Sequence, residues 1–200
     1  HEPPPDLEEK VKGISRMASL KIALGDNAAR YSDAQLEEFA ARKNECYLEA
    51  VKTVDRGDLY PGVVELFADL KAAGIKVVLG SASRNAHAVL DGLGITDQFD
   101  AISDGLTHDR GKPHPDVFLC GAAMVGLAPP ECIVVEDAEA GIDAALRGGF
   151  VAVGMGNYES LKHAHLFVES LEQLDAEKLK RLHREYRLPS LTGPAAPATA

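Results

Sequence analysis

Three groups suited to handling a phosphate stand in a fixed order along this chain, each near the end of an apolar stretch or in a loop. The run Ile75-Lys-Val-Val-Leu-Gly80 ends in Ser81-Ala-Ser83. Lys112 follows in Gly111-Lys-Pro-His-Pro-Asp116, and Ile133-Val-Val135 runs straight into Glu136-Asp137. Phosphoryl transfer needs donors to hold the phosphate, a cation to neutralise it and hard oxygens to hold Mg2+. A hydroxyl, an ammonium and a carboxylate pair provide these parts. They fall where open α/β sheets bind ligands, beyond the carboxyl ends of the strands. No nucleophile is evident among them.

Each station also has a plainer use. Ser81 precedes a helix starting near Arg84 or Asn85, where backbone N–H groups make an anion site, but Ser83 could simply cap that helix. Adjacent carboxylates at the end of a buried strand repel, a cost that a divalent cation removes; the alternative is that Asp137 caps a helix over 138–147. Lys112 taken alone reads as an exposed loop lysine. No Gly-x-Ser-x-Gly elbow surrounds Ser81, which argues against a serine hydrolase. Gly154-Met-Gly156 lacks the third glycine of a dinucleotide loop. His163-Ala-His165 has no further metal ligand in view.

The elements that must position these groups fall into two kinds. From Leu7 to about Val54 the pattern is helical, with a helix over Ser15–Leu24 after the loop Gly13-Ile-Ser15, and another opened by the capping box Ser32-Asp-Ala-Gln35. This stretch reads as a small all-helical accessory module, residues 1–55. After Pro61-Gly62 the pattern becomes that of a doubly wound parallel α/β sheet, residues 56–185. Its strands are predicted at 75–80, 99–103, 132–135, 150–153 and 166–168. Its helices are predicted at 63–73, 85–93, 116–125, 138–147 and 170–184. The remainder, 186–200, is rich in Pro, Ala and Thr and reads as a disordered tail.

Bulk properties narrow the function. The 200 residues carry a net charge of −10 and are 46% hydrophobic. A chain this acidic is not expected to bind nucleic acid or an anionic membrane. No apolar run reaches the roughly 20 residues of a membrane span. Cys46, Cys120 and Cys132 are odd in number and are expected to be buried, reduced thiols of a cytoplasmic protein.

Together the stations resemble the haloacid dehalogenase superfamily of phosphotransferases: Ser81 its second motif, Lys112 its third, Glu136-Asp137 its fourth. The resemblance is closer still to the β-phosphoglucomutase family within it. Lys12-Gly-Ile-Ser-Arg16 looks like that family's cap loop, Ala41-Arg-Lys-Asn44 like its second cap helix, and Ser81-Ala-Ser-Arg-Asn85 like its phosphate contacts. The resemblance implies a HAD-like core under a helical cap and a monomer acting on a phosphorylated hexose with Mg2+. Ser81, the Ala82 N–H and Lys112 would hold the transferring phosphoryl group. Gly13, Ile14 and Arg16 would grip the distal phosphate with Ser83, Arg84 and Asn85, and Lys43 would add positive charge under the cap. Glu136 and Asp137 would serve the metal.

One departure matters. The superfamily's Asp-x-Asp, which supplies the nucleophile and the general acid/base, has no match, because no two aspartates here lie two apart. The family's order puts it before residue 1, on a strand between those ending at Ser81 and Asp137. The chain therefore reads as a fragment lacking that strand, with two unpaired sheet edges facing each other. The expected activity is a mutase working through an aspartyl-phosphate and a bisphosphate intermediate. The alternatives are a sugar-phosphate phosphatase and a non-catalytic truncated chain.

Overall fold

A computed structural model describes residues 6–186. Three helices come first: α1 (Leu7–Val11), α2 (Arg16–Leu24) and α3 (Asp33–Val51). Ser15 caps α2, its Oγ accepting from the Ala18 N–H at 3.4 Å. The predicted capping box opens α3: Ser32 Oγ accepts from Gln35 N, and Gln35 Oε1 accepts from Ser32 N at 3.0 Å. Helix α1 packs on α2, and α2 on α3, which reaches the α/β part through α5 (Ala86–Leu93).

Beyond Gly62 the order is α4 (Val63–Ala72), β1 (Val78–Gly80), α5, β2 (Ala101–Ser103), α6 (Asp116–Met124), β3 (Ile133–Glu136), α7 (Glu139–Arg147), β4 (Val151–Met155), α8 (Tyr158–Leu161), β5 (Leu166–Val168) and α9 (Ala176–Tyr186). All strand pairs are parallel. β1 pairs with β2, Leu79 opposite Ile102; β3 pairs with β4, Val134 opposite Ala152; and β4 pairs with β5, Gly154 opposite Phe167. Strand β4 shows why the layers form. Ala152 joins a core with Val117, Phe118, Ile142 and Phe150, while Val151 and Val153 join another with Leu66, Leu70, Leu179 and Leu182. Successive side chains on a strand face opposite ways, so one strand seals helices on both sides.

The sheet is in two halves. Among the described residues β1 bonds only to β2 and β3 only to β4, leaving the two unpaired edges expected from the sequence. A cavity of about 890 Å3 lies between the halves, lined by Val78, Leu79 and Gly80 on one side and by Ile133, Val134 and Val135 on the other.

Several boundaries differ from expectation. Strand β1 starts at Val78, not Ile75, because its partner β2 begins only at Ala101; just before it, Val77 N–H donates to the Asp100 carboxylate at 2.8 Å. The single helix expected over 170–184 is broken. Leu171–Gln173 make a 3-10 turn, buried Leu174 is extended, and α9 then begins. Asp175 accepts from Lys178 N and Asp69 from Ala176 N, both at 2.6 Å, giving the second helix its own start. The cysteines are free as expected, but Cys46 is exposed and the other two are half-buried. Among the described residues no helix is long and apolar enough to cross a membrane. The expected tail falls almost entirely outside the described residues.

Candidate active site

Ser81 extends the β1–β2 ladder by one rung, its N–H donating to Ser103 O at 2.8 Å. The chain then turns on two hydroxyls. Ser81 Oγ accepts from Ser83 N, and Ser83 Oγ accepts from Asn85 N, each at 3.1 Å. Ser83 thus holds the turn leading into α5, whose N-cap position is Asn85. The bond at Ser81 uses an oxygen lone pair and leaves the O–H proton to donate. The Ala82 N–H donates to no described backbone group, and Ala82 lines the cavity mouth beside Ser81.

Lys112 is not the exposed loop lysine its surroundings in sequence suggested. Its side chain is only 4% exposed, and its ammonium donates to Gly80 O at 3.2 Å and to Glu136 Oε2 at 3.0 Å. The ammonium also lies 4.8 Å from the centre of the Phe118 ring. One cation therefore ties the carboxyl end of β1 to that of β3, and both ends open at the same mouth.

Glu136 ends β3 with its side chain 9% exposed. Burial pushes its carboxyl above the usual range, and the Lys112 ammonium pulls against that shift. Gly141, in the first turn of α7, makes room for it: a Cβ there would fall inside the Glu136 carboxylate. Asp137 is one-third exposed and pairs with Lys12 at 3.0 Å. It does not cap α7, whose N-cap is Ala138 with no side-chain bond. Each carboxylate of the pair faces a lysine, Glu136 meeting Lys112 and Asp137 meeting Lys12.

Of the residues singled out from sequence, Gly13, Ser81, Ala82, Lys112, Glu136 and Asp137 line one cavity mouth. The others do not line it. Ile14 and Arg16 are half-buried where the linker enters α2, and Ser15 abuts Gly111, 3.6 Å from where a Cβ there would lie. Arg84 is exposed on the 81–85 turn and Lys43 is exposed on α3. Asn85 Nδ2 donates to Asn44 Oδ1 at 2.7 Å, tying that turn to α3. Lys12 and Asn44 were legible from sequence only as members of the cap motifs, without a contact of their own, and Gly141 was given no role there. The signal for Gly141 was a glycine inside a helical pattern.

The donor set suits Mg2+. Glu136 and Asp137 offer hard oxygens, and no three His, Cys, Asp or Glu side chains among the described residues could hold a metal by themselves. Mg2+ keeps several waters and binds through one or two carboxylates together with substrate phosphate, so two carboxylates at an open mouth fit it.

Parallel strands, a hydroxyl-bearing turn, a buried lysine and a carboxylate pair at one mouth define a phosphoryl-handling α/β protein, and the chain belongs to the haloacid dehalogenase-like hydrolases, whose family model matches residues 7–149. It is similar to the beta-phosphoglucomutase of Bacillus subtilis, 40% identical over 185 residues, covering 92% of this chain and 82% of the relative. The crystal structure of beta-phosphoglucomutase from Clostridium difficile, also 40% identical, matches with a TM-score of 0.87 over 92% of this chain and 83% of that one. Hexitol phosphatase A of Escherichia coli is 36% identical over 140 residues, 66% of this chain and 62% of its own length.

Proposed function

We propose that the protein is a β-phosphoglucomutase that interconverts β-glucose 1-phosphate and glucose 6-phosphate through an aspartyl-phosphate and a bisphosphate intermediate. Similarity to such enzymes over 92% of the chain supports this. The observation that carries it is the seating of the Lys12–Arg16 linker on the carboxylate turn. A Cβ on Gly13 would lie 2.9 Å from Ala138 Cβ and 3.5 Å from Glu136 Oε1. Arg16 is borne on that linker, three residues after Gly13, which lines the same cavity as Ser81 and Lys112. A mutase needs this second cation, because its bisphosphate intermediate carries an anion at each end; a phosphatase needs one anion site.

In this reading Ser81 Oγ and the Ala82 N–H donate to the transferring phosphoryl oxygens while Lys112 neutralises them. Arg16 holds the distal phosphate, with Gly13 and Ile14 shaping its loop and Ser83, Arg84, Asn85 and Lys43 forming the polar surround. Mg2+ held by Asp137 and Glu136 supplies, when bound, further positive charge against the phosphoryl group. The nucleophile of this reaction would be the aspartate of the superfamily's Asp-x-Asp, which has no match in these 200 residues. Asp137 is the only described aspartate lining the cavity between the sheet halves, and it is committed to the metal. Helices α1–α3 act as the cap, residues 1–55, over a core of residues 56–185, and the protein acts as a monomer.

The test is the full-length protein with Mg2+, β-glucose 1-phosphate and a bisphosphate primer. The expected product is glucose 6-phosphate; release of inorganic phosphate alone would establish the phosphatase. Arg16→Ala sharpens the comparison. Charge-assisted hydrogen bonds are worth about 1.5–3 kcal/mol, so turnover of hexose phosphate should fall by one or more orders of magnitude. Phosphoryl transfer from acetyl phosphate, which has no distal phosphate, should be largely spared. Equal losses with both donors would assign Arg16 to cap folding.

A further inference from the structure

The linker between α1 and α2 brings its own cation to the candidate metal site. Lys12 Nζ lies 3.0 Å from Asp137 Oδ2, with the two side chains 46% and 33% exposed. Gly13 follows at φ +72°, a conformation that favours glycine, and its missing Cβ lets the backbone lie on Ala138. Two residues on, Ser15 caps α2, the helix that begins with Arg16. Lys12 and Arg16 are thus borne on one short stretch whose position is set by contact with the carboxylate turn.

Lys112 and Lys12 together balance the charges of Glu136 and Asp137. Lys112 is buried and held by three partners, Gly80 O, Glu136 and the Phe118 ring. Lys12 sits at the rim, where leaving costs little desolvation. A divalent cation coordinates a carboxylate oxygen at about 2.0–2.1 Å, and an ammonium on that carboxylate repels it. Resting on the metal reading of Asp137, we propose that Lys12 is a positioning residue that acts as a displaceable counter-ion. It holds Asp137 in the metal-free protein, a divalent cation takes its place, and the Lys12 end of the linker loosens as the metal binds, while the contact of Gly13 with Ala138 keeps the linker on the carboxylate turn. The coupling is reciprocal: whatever fastens Lys12 to Asp137 weakens the metal, and the metal loosens the Lys12 end of the linker.

The probe is Mn2+, titrated into the protein as it stands and followed by the electron paramagnetic resonance of the free ion. Wild type, Lys12→Met and Asp137→Asn are compared, with thermal melts to check folding and Lys12→Gln as a second variant should Lys12→Met fold poorly. Loss of an exposed ion pair predicts Mn2+ binding up to about fivefold tighter without Lys12. Amide exchange at residue 12 should rise with metal in wild type and be metal-insensitive in Lys12→Met. Weakened binding in Asp137→Asn, with unchanged or weaker binding in Lys12→Met, leaves the metal site standing and overturns the counter-ion role. No Mn2+ binding by wild type and Lys12→Met alike removes the metal reading, and the counter-ion role with it.

Discussion

Replacing Lys112 by Met tests whether the buried pair with Glu136 holds the two halves of the sheet together. Met keeps the apolar stem beside Phe118 and removes the ammonium, so Gly80 O loses a donor and Glu136 is left buried without its counter-ion. Breaking a buried pair from one side costs about 3–5 kcal/mol. At a urea m-value of about 2 kcal/mol/M, the unfolding midpoint should fall by about 1.5–2.5 M. Glu136→Gln in the same chain removes the orphaned charge and should restore most of that loss, giving a strong coupling in the double-mutant cycle. The pH dependence has a definite sign. Burial already raises Glu136 above its unfolded value in wild type, and removing Lys112 raises it further. A carboxyl with a raised folded pKa binds more protons when folded, so its contribution is fully present below the unfolded value and is lost as pH rises through the folded one. The Lys112→Met defect should therefore shrink on acidification from neutrality towards the ordinary carboxyl range. Chemical denaturation of the four proteins at two pH values checks this. A Lys112→Met midpoint within 0.5 M of wild type, or no recovery on adding Glu136→Gln, would refute the reasoning.

Gly141→Ala places a methyl inside the space of the Glu136 carboxylate. A displaced carboxylate should cost about 1–3 kcal/mol in stability and weaken Mn2+ binding more than a comparable substitution at Ala144 on the same helix, as denaturation and metal titration would read. His165 gives a pH effect of opposite sign to Glu136. Its Nδ1 accepts from Ala152 N at 3.0 Å, its ring lies tilted against Tyr186 with centroids 4.5 Å apart, and burial lowers its pKa. The folded state thus favours neutral imidazole, so the stability it contributes is present above pH about 6.5 and is lost as pH falls. Thermal melts between pH 7.5 and 5.5 should show that loss in wild type and a smaller one in His165→Gln.

Much of the α/β part was legible because its signals are local. Val63–Ala72, Ala86–Leu93 and Asp116–Met124 were readable from apolar spacing, and Ser32 with Gln35 announced a capping box that formed. Where a boundary depended on a distant partner, the reading slipped: β1 begins only where β2 offers a rung, and Asp69, 107 residues away in sequence, helps set the start of α9. Cys46 follows the same logic, since a helical pattern gives periodicity but cannot say whether another element covers that face.

The sequence by itself determined the order of the stations and their chemistry: hydroxyl turn, lysine and carboxylate pair are residue types at the ends of recognisable elements. It also determined that an Asp-x-Asp is absent from these 200 residues. Tertiary structure alone decided how the charges are paired. Lys112 lies 24 residues from Glu136, and Lys12 lies 125 from Asp137, yet each ammonium sits 3.0 Å from its carboxylate. Local propensity carries no information about such pairings, because burial and the meeting of distant segments decide which cation can reach a carboxylate. In sequence Lys12 is the first residue of a loop between helical stretches and Lys112 an ordinary loop residue; folding makes one the rim and the other the floor of a single site.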